Sequence, residues 1–449
     1  MSELPAGWAT FSIADIGGLA GGKTPSKANP AFWSSRDVPW ISPKDMKKLY
    51  LEDSEDRISK VALSDAGMAL YPAKSILMVT RSGILQHTFP VALARVDSTV
   101  NQDIKVIAPH SEIDTIFLLY SLRAFGQIIL QRCSKAGTTV QSIDSDKLEA
   151  FPFPLPPLAE QKRIAQELDA LLAQVDTLKA RIDAIPALLK RFRQSTLAAA
   201  FSARLTGEAP AEFDHWQEAK FSSVIEDLRY GTAQKCDYNG GTTGVLRIPN
   251  IGDRGIVLSD MKSSDFSETE IKKLELMKGD IVLIRSNGSV ELVGKSALVS
   301  EKEQGLLFAG YLIRVRLDQA KSIPEFVNYW LKSPAIRQVI EQIARSTSGV
   351  NNINSEEIKS LTFTFPSLSA QAEIVRRVEQ LFAYADQLEA KVAAAQQRID
   401  ALTQSLLAKA FRGELVPQDP TDEPASVLLA RIRTQRAATP KPKRGRKKV

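Results

Sequence analysis

Cysteine and histidine are scarce in this 449-residue chain, which has two of the former and three of the latter. The two cysteines, Cys133 and Cys236, are too few for a disulfide framework or a structural zinc site. The histidines, His87, His110 and His215, are scattered without metal-ligand spacing. The sequence therefore predicts no metal site.

Long apolar runs are also missing, because no run approaches the ~18 residues that a membrane span requires. The first residues carry neither the charged n-region nor the apolar h-region of a secretion signal. We therefore expect a cytoplasmic protein. Hydrophobic residues at 44% and charged residues at 24% are typical of a well-cored globular chain. The length is compatible with two globular domains and a helical layer.

Outside residues 425–449 the chain has no net positive charge. Residues 425–449 hold nine Lys and Arg and no acid, which leaves −3 of the total +6 for the other 424 residues. Any affinity for nucleic acid must therefore come from local patches, from this segment or from a partner. We predict that residues 416–449 form a basic, disordered tail.

What the chain does contain is a long internal repeat, because residues 158–201 align with 368–411 at a constant offset of 210 and share 15 of 44 residues. Both copies place apolar residues at alternating steps of four and three, which is the period of a left-handed coiled coil. Each copy predicts a helix about 60 Å long, and we expect the two helices to pair antiparallel. Pro186 stands where the second copy has Gln396, which predicts a kink or short break near Ile185. The predicted seam and partner-docking residues are Gln161, Ile164, Leu168, Leu171, Leu178, Phe201, Gln371, Ile374, Leu381, Leu388 and Phe411.

Each long helix follows a globular region of similar design. Strand-like runs at 75–79 and 281–284 lead into polar turns at 81–83 and 285–289, and residues 113–130 are predicted to be helical. The segments 140–145 and 350–355 also match at offset 210. We predict an α+β fold: two similar globular domains, with mixed, mainly antiparallel sheets and helices, joined by two long antiparallel helices in a pseudo-two-fold repeat. The predicted regions are 1–152, 153–207, 208–364, 365–415 and 416–449.

Short motifs that resemble catalytic signatures fail on spacing or length. Five residues separate Gly288 from Gly294, where a phosphate-binding loop needs four. Asn29-Pro-Ala-Phe32 lacks the second proline of the motif with which amino-methyltransferases hold an exocyclic amine. The triplet Glu357-Ile-Lys359 could be the end of a nuclease signature, but such a triplet is common by chance. No acid, base and nucleophile come together in the sequence, so we predict a chain that is not an enzyme.

Polar side chains able to read base edges are dense in the loops of both globular regions. Their grouping at matching places in the two regions favours nucleic-acid recognition over solvated loops. In the first region the candidates are Lys23, Thr24, Lys27, Ser42, Lys44, Arg81, Ser82, Thr138, Thr139 and Gln141. In the second they are Arg229, Tyr230, Thr232, Gln234, Lys235, Arg247, Asn250, Arg285, Ser286, Asn287, Ser289, Lys295, Ser348, Asn351 and Asn352.

Four runs, 156–164, 189–195, 371–386 and 407–415, resemble the specificity subunit of type I restriction-modification systems, especially its enterobacterial group. The resemblance implies two target-recognition domains that each read half of a bipartite DNA site, and helices that dock two methyltransferase subunits. It also implies two restriction subunits. The complex would be an adenine-N6 DNA methyltransferase and an ATP-dependent endonuclease, with S-adenosylmethionine, ATP and Mg bound by the partner subunits and no cofactor bound by this chain.

Two other hypotheses stay open at the level of sequence. The chain could be a coiled-coil scaffold that tethers two partner proteins without reading DNA sequence. It could also be a self-contained nuclease, which divalent-metal-dependent cleavage by the isolated chain would reveal.

Overall fold

The computed structural model describes residues 4–136, 140–202, 216–345 and 349–438. The chain divides into two compact units, of which the first combines Met1–Arg181 with Ala395–Val449 and the second is Ile182–Ala394. Each unit therefore contains one globular domain and a part of both predicted helical regions.

The first globular domain is built on a five-stranded mixed sheet. Its strands are β1 (Ala9–Phe11), β2 (Ala20–Gly21), β3 (Val38–Ile41), β4 (Tyr50–Leu51), β5 (Arg57–Ile58), β6 (Ile76–Val79), β7 (Val91–Ala94), β8 (Thr99–Val100), β9 (Ile104–Ile107) and β10 (Phe153–Leu155). Its helices are α1 (Ile13–Ile16), α2 (Lys60–Asp65), α3 (Thr115–Ala124), α4 (Gly126–Cys133) and α5 (Ser145–Glu149). The main sheet has the order β2-β9-β6-β7-β4, beside a three-stranded sheet β5-β3-β8 and the pair β1-β10.

Burial explains the central strand of this sheet. All four residues of β6 are apolar and buried, as expected for a strand covered on both faces. The predicted helix over 113–130 is wrong as a single element, because α3 ends at Ala124 and α4 begins at Gly126. Gly126 packs so closely on Phe89 that an added Cβ would lie 3.3 Å from the Phe89 side chain.

The second globular domain repeats this plan. Its strands are β11 (Gln217–Lys220), β12 (Ile225–Tyr230), β13 (Thr243–Leu246), β14 (Lys262–Ser264), β15 (Ile281–Ile284), β16 (Ser286–Asn287), β17 (Ser296–Leu298), β18 (Leu307–Phe308), β19 (Leu312–Leu317), β20 (Asn351–Asn352) and β21 (Thr362–Phe365). Its helices are α7 (Glu268–Leu274), α8 (Pro324–Lys332), α9 (Pro334–Ala344) and α10 (Ser355–Ser360). The main sheet has the order β12-β19-β15-β17, beside a three-stranded sheet β14-β13-β18 and the pairs β11-β21 and β16-β20.

The strand orders show that the two domains share a common core topology. β12, β19, β15 and β17 follow one another as β2, β9, β6 and β7 do, and all these neighbours are antiparallel. The parallel pair β3-β8 recurs as the parallel pair β13-β18. The predicted duplication of an α+β domain is confirmed at the level of topology.

Two long helices, α6 (Leu158–Ala200) and α11 (Leu368–Ala410), have 43 residues each and the predicted offset of 210. A kink or short break was predicted near Ile185. The break is wrong, because α6 continues through Pro186, and the kink stays a prediction. A proline removes one backbone donor, here the partner of the Ile182 carbonyl. Pro186 is exposed, so water can satisfy that carbonyl while the flanking turns keep their own hydrogen bonds.

A further helix, α12 (Ala425–Ala438), corrects the prediction of a disordered tail. Leu428, Leu429 and Ile432 are buried in the core of the first unit. The Arg433 guanidinium pairs with Asp15 at 2.9 Å. The composition of this segment concealed an apolar stripe at 428, 429 and 432, which stabilises a helix once a surface covers it. Residues 439–449 lie outside the described residues.

Candidate nucleic-acid interface

In the first domain, the turn after β6 lies beside the segment that precedes α5. The Ile143 N–H donates to the Thr80 carbonyl at 2.8 Å, and the Ser82 N–H donates to the Gln141 carbonyl at 3.0 Å. Arg81 forms a β-bridge with the same segment. The structure therefore brings three predicted residues together, namely Arg81, Ser82 and Gln141.

The loop between β8 and β9 extends this polar surface. The Asp103 carbonyl accepts hydrogen bonds from the N–H groups of Thr80 at 2.8 Å and Arg81 at 3.3 Å. Within the same loop, Gln102 Oε1 accepts from the Thr24 hydroxyl at 2.5 Å. The predicted residue Thr24 is thus connected to Arg81 through residues 102 and 103.

In the second domain, β16 and β20 form the corresponding surface. Ser286 pairs with Asn352, and Asn287 pairs with Asn351. The Asn351 amide donates to the Gly288 carbonyl at 2.9 Å. These four predicted residues are therefore neighbours, although 63 residues of chain lie between the two strands.

Tyr230 and Arg285 meet at the same edge of the second domain. The Arg285 guanidinium carbon lies 4.6 Å from the centroid of the Tyr230 ring, within the range of a cation–π contact. The Tyr230 hydroxyl accepts from the Ser355 N–H at 2.9 Å. This hydrogen bond holds the tyrosine against the segment that begins α10.

Strand register corrects the sequence alignment of the two turns. The Ile353 N–H donates to the Arg285 carbonyl at 3.0 Å, as the Ile143 N–H donates to Thr80. Val79 pairs with Ile104 as Ile284 pairs with Leu312. Thr80, and not Arg81, therefore occupies the position of Arg285. Both turns begin with Arg-Ser in the sequence, at residues 81 and 285. Aligning them by these two residues is wrong by one position.

A glycine holds the neighbouring loop in both domains. A Cβ added to Gly22 would collide with the Val100 carbonyl oxygen, and a Cβ added to Gly231 would collide with the Phe308 carbonyl oxygen. The next N–H donates to that same carbonyl in each case, at 3.1 Å from Lys23 and at 2.8 Å from residue 232. Only glycine allows this close approach of two backbones.

Three candidates, Ser42, Thr232 and Asn250, have buried side chains. Asn250 is 1% exposed, and its amide donates to the Val257 carbonyl at 2.8 Å. The Ser42 hydroxyl donates to the Asp45 carboxylate at 2.9 Å, and the Thr232 hydroxyl accepts from the Gln234 N–H at 3.0 Å. These polar groups satisfy loop backbone and turns, for which Ser, Thr and Asn are as well suited as for DNA.

Other candidates lie on the surface but have partners within their own domain. Arg229 pairs with Asp227, and Arg247 pairs with Asp260, at 2.8 Å in both cases. Burial raises the pKa of Asp227, but the guanidiniums of Arg229 and Arg314 outweigh that effect and hold it below its ordinary value. Such partners are also present for Lys44, Arg81, Gln234, Asn287 and Lys295.

The rest of the candidates are not gathered into one cluster. Lys23, Lys27, Lys235 and Ser289 are exposed. Thr138, Thr139 and Ser348 lie outside the described residues.

Two surface residues escaped prediction. Tyr311 directly precedes β19 and is 64% exposed. Gln102 lies in the loop between β8 and β9 and accepts a hydrogen bond from Thr24. Gly310 before Tyr311 and the dipeptide 101–102 before β9 were turn signals that could have drawn attention to both loops. Their proximity to the other residues depends on strand pairing, which the sequence does not display.

The first domain is anchored on α6 by hydrogen bonds. The Asp169 carboxylate accepts from the hydroxyls of Tyr50 at 2.7 Å and Tyr120 at 2.5 Å. Burial and the bond to Asp169 raise the pKa of Tyr50 to about 12, and the same causes raise the pKa of Tyr120. Both tyrosines therefore remain protonated donors at neutral pH.

Helix pairing is visible in each unit separately. In the first unit the Lys179 ammonium contacts Asp400 at 3.0 Å, and in the second Arg193 contacts Asp386 at 2.7 Å. In the first unit, Leu168 and Leu172 of α6 share a core with Leu407 and Ala410 of α11, so the higher-numbered residues of one helix lie beside the lower-numbered residues of the other. The segments are antiparallel, as predicted.

The predicted seam is only partly buried. The heptad residues Val175, Leu189, Val392 and Ile399 are buried. Leu178 was predicted to lie in the seam but is 48% exposed, and Leu402 is 44% exposed. Leu171, Leu381 and Leu388 are half-buried.

Several predicted seam residues belong instead to the domain cores. Phe411 packs on Phe117 and Phe125 with ring centroids 5.4 and 5.8 Å apart, and Phe201 packs on Phe326 at 5.1 Å. The other seam candidates in these cores are Ile164, Leu168 and Ile374. The ends of the long helices carry extra apolar residues because they cover a sheet domain as well as a helix.

Among the described residues, no cluster of three or more His, Cys, Asp or Glu side chains has the geometry to hold a metal ion. In the same part of the chain, no helix has both the length and the apolar character of a transmembrane segment.

A duplicated mixed-sheet domain with polar turns at its edge, each copy joined to paired long helices, defines a class of duplicated recognition proteins. The fold is similar to that of the HsdS subunit from Thermoanaerobacter tengcongensis, with a TM-score of 0.55 and 16% identity over 92% of this chain and 98% of that one. It is also similar to a chain of a type I R-M system solved to explain complex assembly and conformational transition, with a TM-score of 0.66, 17% identity, and 92% and 100% coverage.

Residues 5–187 and 214–395 both match the type I restriction modification DNA specificity domain, so the chain belongs to that family. The EcoKI type I restriction enzyme specificity subunit of Escherichia coli strain K12 is 39% identical over 325 residues, which are 70% of each chain. The StySPI specificity subunit of Salmonella potsdam is 39% identical over 326 residues, also 70% of each. The family assignment does not favour the scaffold without DNA readout.

Proposed function

We propose that this chain is the non-catalytic subunit that selects the DNA sequence for a type I restriction-modification complex. Each globular domain reads one half of a bipartite site, and the long helices dock two methyltransferase subunits. The relatives named above are specificity subunits of type I restriction enzymes, which supports the same role for this chain.

One observation carries the proposal: the same backbone framework presents different side chains in the two domains. The hydrogen bond that joins residue 143 to Thr80 recurs between residue 353 and Arg285. Sequence is read by side chains on base edges, whereas a framework of this kind only positions them. One framework with two sets of side chains is suited to an asymmetric site with two different halves.

Exposed apolar residues on the long helices support docking of partner proteins. In the first unit Leu178 and Leu402 are 48% and 44% exposed, and in the second Leu188 and Tyr384 are 57% and 56% exposed. Apolar side chains that a helix pair leaves in water mark interaction sites when they are grouped. Exposed apolar residues on the long helices of each unit are consistent with two copies of one partner.

Catalysis and cofactors belong to the partners in this proposal. Two methyltransferase subunits bind S-adenosylmethionine and methylate adenine at N6, and two restriction subunits use ATP and Mg for cleavage. A base inside a duplex must be flipped out before its exocyclic amine can be methylated. The present chain would select which adenine is offered.

The test is methylation of genomic DNA by the chain assembled with its methyltransferase subunits, read by sequencing that detects N6-methyladenine. We expect one two-part motif with a fixed spacer. Methylation without a sequence motif, or a motif confined to one continuous stretch, would overturn the proposal. A chain that cleaves DNA alone in the presence of a divalent metal would overturn the non-catalytic assignment.

A further inference from the structure

Three neighbouring strands end at one edge of the second domain. Tyr230 is the last residue of β12, Tyr311 directly precedes β19, and Arg285 directly follows β15. β19 lies between β12 and β15 and is antiparallel to both. The Arg285 N–H donates to the Tyr311 carbonyl at 2.8 Å. With neighbouring strands about 4.8 Å apart, these residues form one continuous edge.

The three side chains at this edge differ in their contacts and exposure. Tyr230 is held by its hydroxyl and by the Arg285 guanidinium that covers its ring. Among the described residues, no carboxylate pairs with Arg285, so its charge is not neutralised locally. Tyr311 is 64% exposed. An exposed ring next to an uncompensated cation can contact the base edges of a duplex, the ring at a thymine methyl group and the guanidinium at guanine.

The corresponding positions of the first domain lack these groups. The Asp103 carbonyl accepts from the Thr80 N–H as the Tyr311 carbonyl accepts from the Arg285 N–H. Gly21 pairs with the residue two positions after Asp103, as Tyr230 pairs with the residue two positions after Tyr311. The first domain therefore has glycine, threonine and aspartate where the second has tyrosine, arginine and tyrosine.

We propose that Tyr230, Arg285 and Tyr311, named here the aromatic edge, form the base-contacting surface of the second domain. Tyr311 makes direct ring contact with a base of the half-site that this domain reads, and Tyr230 positions Arg285 beside it. The first domain reads its half-site without an aromatic contact at this place. This assignment rests on the proposed function and deepens it, because it names the residue that specifies a base.

The experiment uses the full chain assembled with its methyltransferase subunits and compares Tyr311→Ala and Tyr311→Phe with the unchanged protein. Methylation motifs are determined from genomic DNA, and affinity is measured on a duplex that carries the motif. For Tyr311→Ala we expect relaxed preference at one or two positions of one half-site, an unchanged second half-site, and binding weaker by about 5- to 150-fold, since loss of recognition at one base pair of a duplex site costs about 1–3 kcal/mol. Tyr311→Phe retains the ring and should keep the motif.

Met277→Ala is the control, because Met277 is 47% exposed in the same domain but lies outside the aromatic edge and is not a candidate DNA contact. It should leave the motif unchanged. If the unchanged protein shows a bipartite motif and Tyr311→Ala preserves both motif and affinity, the assignment of the aromatic edge as the base-contacting surface is wrong. The proposed function would still stand. An equal loss in Tyr311→Phe and Tyr311→Ala would also overturn ring contact. Absence of any motif in the unchanged protein would instead overturn the proposed function.

Discussion

Gln161 and Gln371 make the same hydrogen bonds in their separate units, 210 residues apart in the chain. Gln161 Oε1 accepts from the Asp114 N–H at 3.0 Å, and its amide donates to the Pro156 carbonyl at 3.0 Å. Gln371 Oε1 accepts from the Ile323 N–H at 2.9 Å, and its amide donates to the Pro366 carbonyl at 3.0 Å. Each glutamine ties a long helix to the residue that directly precedes a helix of its globular domain.

Replacement of either glutamine by leucine should destabilise its unit, because buried backbone N–H and C=O groups lose their partners. The expected loss is about 1–3 kcal/mol for each variant, measured by chemical denaturation. Gln166→Leu is the control, since Gln166 is exposed on the same helix as Gln161, and it should leave stability nearly unchanged. Equal stability of Gln161→Leu and Gln166→Leu would contradict the anchoring role.

Glu160 should make the first unit less stable as the pH rises. Its side chain is 2% exposed, and burial raises its pKa, while the hydrogen bond from Trp8 opposes that shift. A carboxyl whose folded pKa is raised stabilises fully below its unfolded pKa, and this contribution is lost as pH rises through the folded pKa. Oε1 has no hydrogen-bond partner among the described residues, so the ionised form is poorly solvated.

Glu160→Gln should therefore stabilise the protein at pH 7 while its amide oxygen still accepts from Trp8. Unfolding free energies measured from pH 4 to pH 8 should show a shallower dependence on pH in this variant. Glu167→Gln, at an exposed position of the same helix, should show no such change. A less stable Glu160→Gln at pH 7 would refute the assignment of burial as the dominant cause.

Substitutions at Val175 and Leu178 should distinguish a loss of folding from a loss of partner docking. Val175 is 5% exposed and Leu178 is 48% exposed. Val175→Asp places an unpaired carboxylate in the helix interface and should cost several kcal/mol, whereas Leu178→Asp should fold normally but weaken the binding of a methyltransferase subunit. Thermal unfolding and assembly by analytical ultracentrifugation provide the two readouts. A folded Leu178→Asp chain that still binds two partners with unchanged affinity would remove Leu178 from the docking surface.

Ile432 should be part of the core of the first unit. Ile432 is 0% exposed and Val427 of the same helix is 48% exposed. Ile432→Ala should reduce stability by about 2–5 kcal/mol, and Val427→Ala should change it by less than about 0.5 kcal/mol. Urea titrations of the two variants provide the comparison. If both variants unfold at the same urea concentration, α12 does not contribute to the stability of that unit.

Sequence patterns were reliable where one strong local signal decided the outcome. The repeat at offset 210 predicted both long helices, and the apolar runs at 76–79 and 281–284 predicted two central strands. The candidate site was harder, because Ser, Thr, Asn and Arg occur equally in turns that satisfy their own backbone. Asn250 and Ser42 are of the expected residue types, but their side chains make hydrogen bonds within their own domains.

By itself, the sequence determined the duplication, the helical period and the resemblance to DNA specificity subunits, because each is a property of residue order along the chain. Tertiary structure alone decided that Thr80 and not Arg81 corresponds to Arg285, that Leu178 stays exposed, and that α12 is buried. Each of these depends on which surface a segment packs against. Hydrogen-bond register and burial arise between residues far apart in the chain, and no local pattern encodes them.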